Sequence, residues 1–396
     1  MDKRRQKDHL NHRNLTLLVL FIFWFIHTIQ CREEMTEQIP TESPSPSRVP
    51  DLKNDLRRIS LSIFLGILTG FLCAVLFVCF VRLVLHYMSR TPILKGPVIF
   101  TPKINPKTLQ SALSNDNNQL IGSSPNGKYY KTVLDGGLAF AVKKLEPFDK
   151  SCPEIQSKSV KRRIQQELET LAELKHRNVM RLRAYVREPL RLSLVYDCIP
   201  TGSLEDAMSR VRENQLQLSW EVRLRIAVGV IKGLQHLHFG CSPGVLHHNL
   251  KPTNIMLNSE FEPMLSDTGL AKLTPNYGTR ASGYTAPECF QNCRCTDKSD
   301  IFSFGVILGV LLTGRDPLDP FFGEAVGGGS LGRWLRHLQQ AGEAREALAK
   351  SILGDEGEED EMLMAVRIAV VCLSDSPADR PSSDELVPML TQLLSF

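Results

Sequence analysis

From Ile59 to Val81 the chain carries no charged side chain, and only Ser, Thr, Gly and Cys interrupt large apolar residues. The run exceeds the roughly 20 residues that a helix needs to cross a bilayer. In lipid its backbone groups must be satisfied within the segment, which demands a helix. Arg82, Arg90, Lys95, Lys103 and Lys107 follow with no acidic residue among them, which marks the cytoplasmic side. Within the run, Gly66 and Gly70 form a G-x-x-x-G pair. Small residues at that spacing let two helix backbones approach closely in lipid. The alternative is an incidental pair, since glycine is common in membrane helices.

Upstream, Met1 to Asn14 is basic and Leu15 to Ile29 is a short apolar run. Residues 1–30 therefore read as a signal peptide or an uncleaved signal anchor. Either outcome leaves the C-terminal part inside. Residues 31–58 are rich in Glu, Ser and Pro; they cannot bury a core and read as a disordered outer stub, too short to be a ligand-binding ectodomain. The expected topology is a single-pass protein with its C-terminal part inside. A net charge of +4 gives no reason to invoke nucleic acid. Ten cysteines are scattered, and only Cys31 precedes the span, so no disulfide framework is expected outside. Cys289, Cys293 and Cys295 lack a second cysteine pair or a nearby histidine and read as reduced thiols rather than a metal site.

After a juxtamembrane segment (82–119), residues 120–396 carry an ordered series of motifs. Gly122 to Tyr129 reads GSSPNGKY, and AFAVKKL follows with Lys143. Ile164, Leu168, Leu171 and Leu174 recur at helical spacing around Glu167. LSLVYDCIP reads as a strand with Tyr196 near its end, and Ile226, Val230, Leu234 and Leu237 mark a long helix. LHHNLKPTNIML (246–257), MLSDTGLAK (264–272) and Ala286-Pro287-Glu288 come next. Asp300 to Leu312 is apolar all round and too short for a span, so it is a buried helix. Arg380 stands near the end. The acidic run Gly354 to Glu361 reads as a solvated loop.

In this order the motifs resemble those of protein kinases. The resemblance implies an α+β, bilobal fold, with a β-rich N-lobe and a helical C-lobe behind the membrane helix. It places Gly122 and Gly127 in the phosphate-covering loop, Lys143 on the phosphates, Glu167 beside that lysine, and Asn254 and Asp267 on magnesium. His247, Glu288, Asp300 and Arg380 fall on structural positions, with Glu288 expected to pair with Arg380. Departures concentrate elsewhere. Ser124 replaces the middle glycine, Pro125 follows it, Tyr129 replaces a valine, His248 replaces an arginine and Thr268 replaces a phenylalanine. Asn249 stands where an aspartate accepts the substrate proton, and an amide has no basic lone pair at neutral pH.

LSWEVRLRIAVGVIKGLQHLH, IFSFGVILGVLLTGRDP and LKHRNVMRLRAYV narrow the resemblance to the plant receptor-like kinases. The juxtamembrane TPILKGPVIFTPKINPKTL and the degenerate LHHNLKPTN are similar to receptor-like pseudokinases without a leucine-rich-repeat ectodomain. That implies a membrane-anchored signalling partner or scaffold of a kinase-lacking, leucine-rich-repeat receptor-like protein of the CLAVATA type, acting in CLE-peptide perception and meristem stem-cell control. Receptor kinases and self-association are further implied partners. No cofactor is required on this reading, and ATP with magnesium through Asn254 and Asp267 is weak at most. The competing readings are a weakly active Ser/Thr kinase and an ATP-binding switch without turnover.

Overall fold

The computed structural model describes residues 52–89, 96–102, 104–114, 118–124, 127–134, 137–145, 158–187, 191–199, 201–270, 283–291, 294–325, 329–353 and 358–394. The segment 1–30, most of the stub, Pro125 and Cys293 lie outside them. The chain divides into two units, Met1–Ser89 and Arg90–Phe396.

The first unit is described as one helix, α1 (Leu52–Ser89). Its apolar window runs from Ile59 to Val84 with a mean hydropathy of 2.7, and none of that window is buried. The window passes Arg82, which the sequence reading took as its end. A long arginine stem can lie along apolar surface while its head stays in water, so one cation near the end does not close the span. A Cβ added at Gly66 or Gly70 would meet nothing within 4 Å. Between them Thr69 donates its hydroxyl to the carbonyl of Leu65 (2.9 Å). The polar side chain is thereby satisfied within its own helix.

The second unit begins with a sheet. Its strands are β1 (Gly96–Ile99), β2 (Gln119–Ser124), β3 (Gly127–Val133), β4 (Ala139–Leu145), β5 (Leu182–Arg187) and β6 (Leu192–Asp197), in the order β1-β5-β6-β4-β3-β2. Every pairing is antiparallel. β1 and α2 (Pro106–Ser114) come from the segment that sequence assigned to the juxtamembrane region. β1 pairs with β5 on the sheet edge, where Pro97 is tolerated. Leu109 and Leu113 of α2 pack with Phe140, Val142, Val186 and Val195. A four-residue strand is too short to show alternation, so periodicity carries no sign of a strand before β2.

The other core holds α3 (Lys158–Glu173), α4 (Leu204–Arg212), α5 (Trp220–His238), the hairpin β7 (Ile255–Leu257) and β8 (Pro263–Leu265), and α7 (Asp297–Thr313), which the short α6 (Pro287–Gln291) precedes. α8 (Leu331–Ala341), α9 (Glu359–Cys372) and α10 (Ser383–Leu393) complete it. Nearly every α7 residue from Ser299 to Thr313 is buried, which explains its lack of a polar face. Gly314, in the left-handed region at φ 71°, ends the helix as glycine allows. Cys289 and Cys295, expected as separate thiols, are joined in a disulfide with their Cα atoms 5.1 Å apart. Spacing alone did not indicate this pairing. Among the described residues no cluster of three or more His, Cys, Asp or Glu could hold a metal ion.

Candidate functional site

The site lies between the sheet and the helical part, on the loop that joins α5 to β7. Leu237 at the end of α5 accepts a hydrogen bond from the Val245 amide (2.8 Å), which starts that loop. Asp300, near the N-terminus of α7, then holds it. Its carboxylate accepts from the His247 amide (2.7 Å) and the His248 amide (2.9 Å). His238 reaches the same carboxylate from α5 at 3.1 Å. Burial alone would raise the Asp300 pKa, but the bond from His238 and the nearby His238, His247 and His248 bring it below the ordinary value. His238 was missed in the sequence; a histidine near the end of a helix carries no spacing that points to Asp300.

The loop keeps an uncommon backbone. His248 sits at φ 63° and Asp267 at φ 61°, both in the left-handed region. Asn249 is half-buried, and its carbonyl accepts from the Asn254 amide group (2.8 Å). The Asn254 carbonyl in turn receives the Ser266 amide (2.8 Å) and hydroxyl (3.0 Å). These bonds tie the loop to the segment that carries Asp267. The Asn254 side-chain oxygen is buried without a hydrogen-bond partner.

Lys143 (β4) and Asp267 are both buried and form an ion pair. Tyr129, from β3, donates its hydroxyl to Asp267 and accepts from the Lys143 ammonium at 3.0 Å. Gly127 aims that strand: its φ is 148°, and a Cβ there would lie 2.4 Å from the Lys144 carbonyl oxygen. The phenol thus spans the place where the kinase resemblance puts phosphates and metal. Burial pushes the Lys143 ammonium down, while Asp267 pulls it back up. Lys251 adds a further cation whose charge acts on Asp267; its own pKa is lowered by burial and raised by Asp267. It too was missed, although it stands two residues after Asn249. Glu167 lies half-buried on α3.

Magnesium asks for several oxygen ligands in near-octahedral order. Here one Asp267 oxygen meets Lys143 and the other meets the Tyr129 hydroxyl. As arranged, the residues do not fit the ion. Beside this closed end a cavity of about 400 Å³ stays open, lined by Leu120, Ala141, Ile199, Asn254 and Met256 among others.

Thr268 is buried, and its hydroxyl has no hydrogen-bond partner. A desolvated hydroxyl of this kind costs about 1–3 kcal/mol. Thr268→Val keeps the shape and removes the oxygen, so unfolding free energy should rise by an amount in that range. Chemical denaturation of the two proteins measures it, and a less stable valine variant would show that the hydroxyl has a role.

Farther out, Glu288 and Arg380 form a two-pronged pair (2.7 and 2.9 Å). Arg380 also donates to the carbonyls of Ser374 (2.8 Å) and Lys298 (3.0 Å). Burial would raise the Glu288 pKa, but the bonds from Arg380 and Ser299 lower it below its ordinary value.

With this geometry in view, the protein kinase domain family matches residues 116–389. The chain belongs to the protein kinase family. A kinase relative from Arabidopsis thaliana, the inactive leucine-rich repeat receptor-like protein kinase CORYNE, is 65% identical over 80% of this chain and 79% of its own. The receptor-like serine/threonine/tyrosine-protein kinase SOBIR1, from the same plant, is 35% identical over 75% of this chain and 49% of its own. Among solved structures, the pseudokinase domain of BIR2, an immune regulator of the RLK/Pelle family, superposes with a TM-score of 0.62 at 29% identity. That match covers 78% of this chain and 93% of the BIR2 chain. The kinase domain here is of the inactive, receptor-like class, and the chain bears one helix long and apolar enough to cross a membrane.

Proposed function

We propose that the chain is a plasma-membrane pseudokinase that serves as signalling partner or scaffold of a kinase-lacking, leucine-rich-repeat receptor-like protein of the CLAVATA type. In that role it relays CLE-peptide perception and restrains stem-cell number in meristems. The observation that carries the reading is the combination at the cleft. The loop frame around Asp300 is complete, while Asn249 holds the proton-acceptor position and Tyr129 bridges Lys143 and Asp267. Such a domain keeps its shape and gives up its chemistry. The similarity to CORYNE, whose name calls it an inactive receptor-like kinase, supports the same reading.

The full chain should show no autophosphorylation above a Lys143→Glu control in a radiolabelled phosphate assay. Asn249→Asp alone should not restore it, because Tyr129 and Thr268 still occupy the phosphate end and the switch position. Loss of a general base costs about 10²–10⁴-fold, so robust turnover by that single variant would refute the emphasis on Tyr129.

Assembly is assigned to α1. Gly66→Ile or Gly70→Ile fills the small-residue surface and holds a partner helix away, which removes contacts of about 1–2 kcal/mol. Co-precipitation of the leucine-rich-repeat partner from membranes should fall for both, while Lys143→Glu assembles normally. Intact assembly by both glycine variants together with failure of the cleft variant would place the contact in the kinase domain.

A further inference from the structure

A second concavity, of about 410 Å³, shares Met180 and Ile199 with the wall of the cleft cavity. Its polar lining is basic: Lys175, His176, Arg177, Arg181 and Arg183, with Asp197 as the lining carboxylate. Asp197 is engaged by Arg183 through its Nε (3.0 Å) and Nη2 (2.6 Å). Arg177 reaches Glu262 at 3.3 Å and remains mostly exposed. Among the described residues no carboxylate pairs with Lys175 or Arg181, and the Arg181 Nε is buried with no acceptor. Arg181 is half-buried in this wall, so its charge is only partly screened by solvent.

The surrounding charge has the same sign. The pKa of His176 is lowered, first by burial and then by three basic neighbours: His236, Arg177 and Lys232. His176 also stacks on His236 with ring centroids 4.8 Å apart. The segment that presents the cations is fixed before any ligand arrives. The Asn178 carboxamide donates to the Pro263 carbonyl (2.8 Å), the Leu265 amide to the Asn178 carbonyl (2.8 Å), and the Met180 amide to the Leu265 carbonyl (2.9 Å). These bonds lock residues 178–180 to β8, so little ordering is left for binding to cost.

We propose that this pocket binds a small phosphorylated ligand of the inositol phosphate class, either free in solution or as the headgroup of a membrane lipid. Four cations face two carboxylates, so the uncompensated charge suits a phosphate monoester dianion. The volume falls in the range of about 300–1,000 Å³ that small-molecule sites occupy. Arginine supplies planar, paired donors for phosphate, and Arg181 is the one whose Nε lacks an acceptor. The pocket lies apart from Tyr129, Lys143 and Asp267, so the proposal does not depend on the cleft or on the partner assigned above.

The test uses the full chain in phosphatidylcholine nanodiscs, titrated with inositol 1,4,5-trisphosphate. Binding is expected, with the dissociation constant rising about ten-fold or more in Arg181→Met and again in Arg181→Met/Lys175→Met, the loss of one charge-assisted bond at a time. Arg181→Lys should retain part of the affinity. Arg210→Met, which removes an exposed cation on α4, should bind as the parent does. Thermal melts that match the parent show that the variants are folded, and Arg181→Lys carries the comparison if Arg181→Met is not. Nanodiscs doped with phosphatidylinositol 4,5-bisphosphate distinguish the sources. Competition with the soluble probe assigns the lipid headgroup, and its absence assigns a free solute. No binding by the parent, equal loss in Arg181→Met and Arg210→Met, or capture of a phosphoserine peptide without the inositol phosphate would each overturn the proposal.

Discussion

Tyr129→Val is expected to bind magnesium–ATP about 10–100-fold more tightly than the parent chain. The variant restores the residue type of the kinase pattern and removes the hydroxyl that meets both Lys143 and Asp267. A hydrogen bond to a charged group contributes about 1.5–3 kcal/mol, and a nucleotide must displace this one before its phosphates can reach the lysine. Without the phenol, Asp267 and the ammonium each lose the hydroxyl that now meets both of them. The parent should show little change in melting temperature with ATP, because stabilisation by a ligand grows only as its concentration exceeds the dissociation constant. The variant should show a rise that needs magnesium and disappears in Tyr129→Val/Lys143→Glu. Tyr129→Phe separates the hydroxyl from the bulk of the ring. A parent that already binds tightly, or a valine variant no better than the parent, would remove Tyr129 as the cause. Phosphotransfer should stay absent in every case, since Asn249 is unchanged.

Arg380→Ala should be among the most damaging single changes in the kinase domain, at about 3–5 kcal/mol. The arginine is fully buried, and its guanidinium joins Glu288 to the carbonyls of Ser374 and Lys298. Its removal leaves the Glu288 carboxylate with Ser299 but without its ion-pair partner, and strips two carbonyls of this donor; a buried pair broken on one side is what makes such deletions severe. Equilibrium unfolding of the two proteins measures the difference. Glu288→Gln keeps the shape and most of the hydrogen-bonding capacity, so it should cost less. If Arg380→Ala lost under 1 kcal/mol, rearrangement or water would have to replace the arginine, and the pair would not anchor the segment after Asp267.

The lobes were legible because their periodicities are long. The apolar run of α7, the helical spacing of apolar residues in α5 and the apolar start of AFAVKKL each specify one element. Much of the cleft was legible for another reason: Lys143, Asn254 and Asp267 keep a fixed order in an extended motif. Their mutual arrangement was not. Tyr129 was visible as a bulky residue in a small residue's place, yet nothing in one dimension says that its hydroxyl crosses to Asp267, far along the chain. The same limit hid His238 behind Asp300 and Lys251 beside Asp267. β1 and α2 escaped because a four-residue edge strand and a short helix carry too little pattern. The disulfide between Cys289 and Cys295 depends on a turn that spacing does not dictate.

The backbone at His248 and Asp267 has a bearing on how substitutions in this chain are to be interpreted. Each residue holds a left-handed conformation, which costs a typical L-residue roughly 1–2 kcal/mol and suits Asn, Asp and Gly better than branched side chains. A saturation scan for folded protein should therefore find position 248 selective, with Gly and Asn admitted and Val or Ile rejected, while at 267 the buried pair with Lys143 restricts the choice further. Selectivity at such positions is ordinarily taken as a sign of working chemistry. Here it would register the shape of a turn at 248 and a buried ion pair at 267, in a protein whose proton acceptor is already an amide.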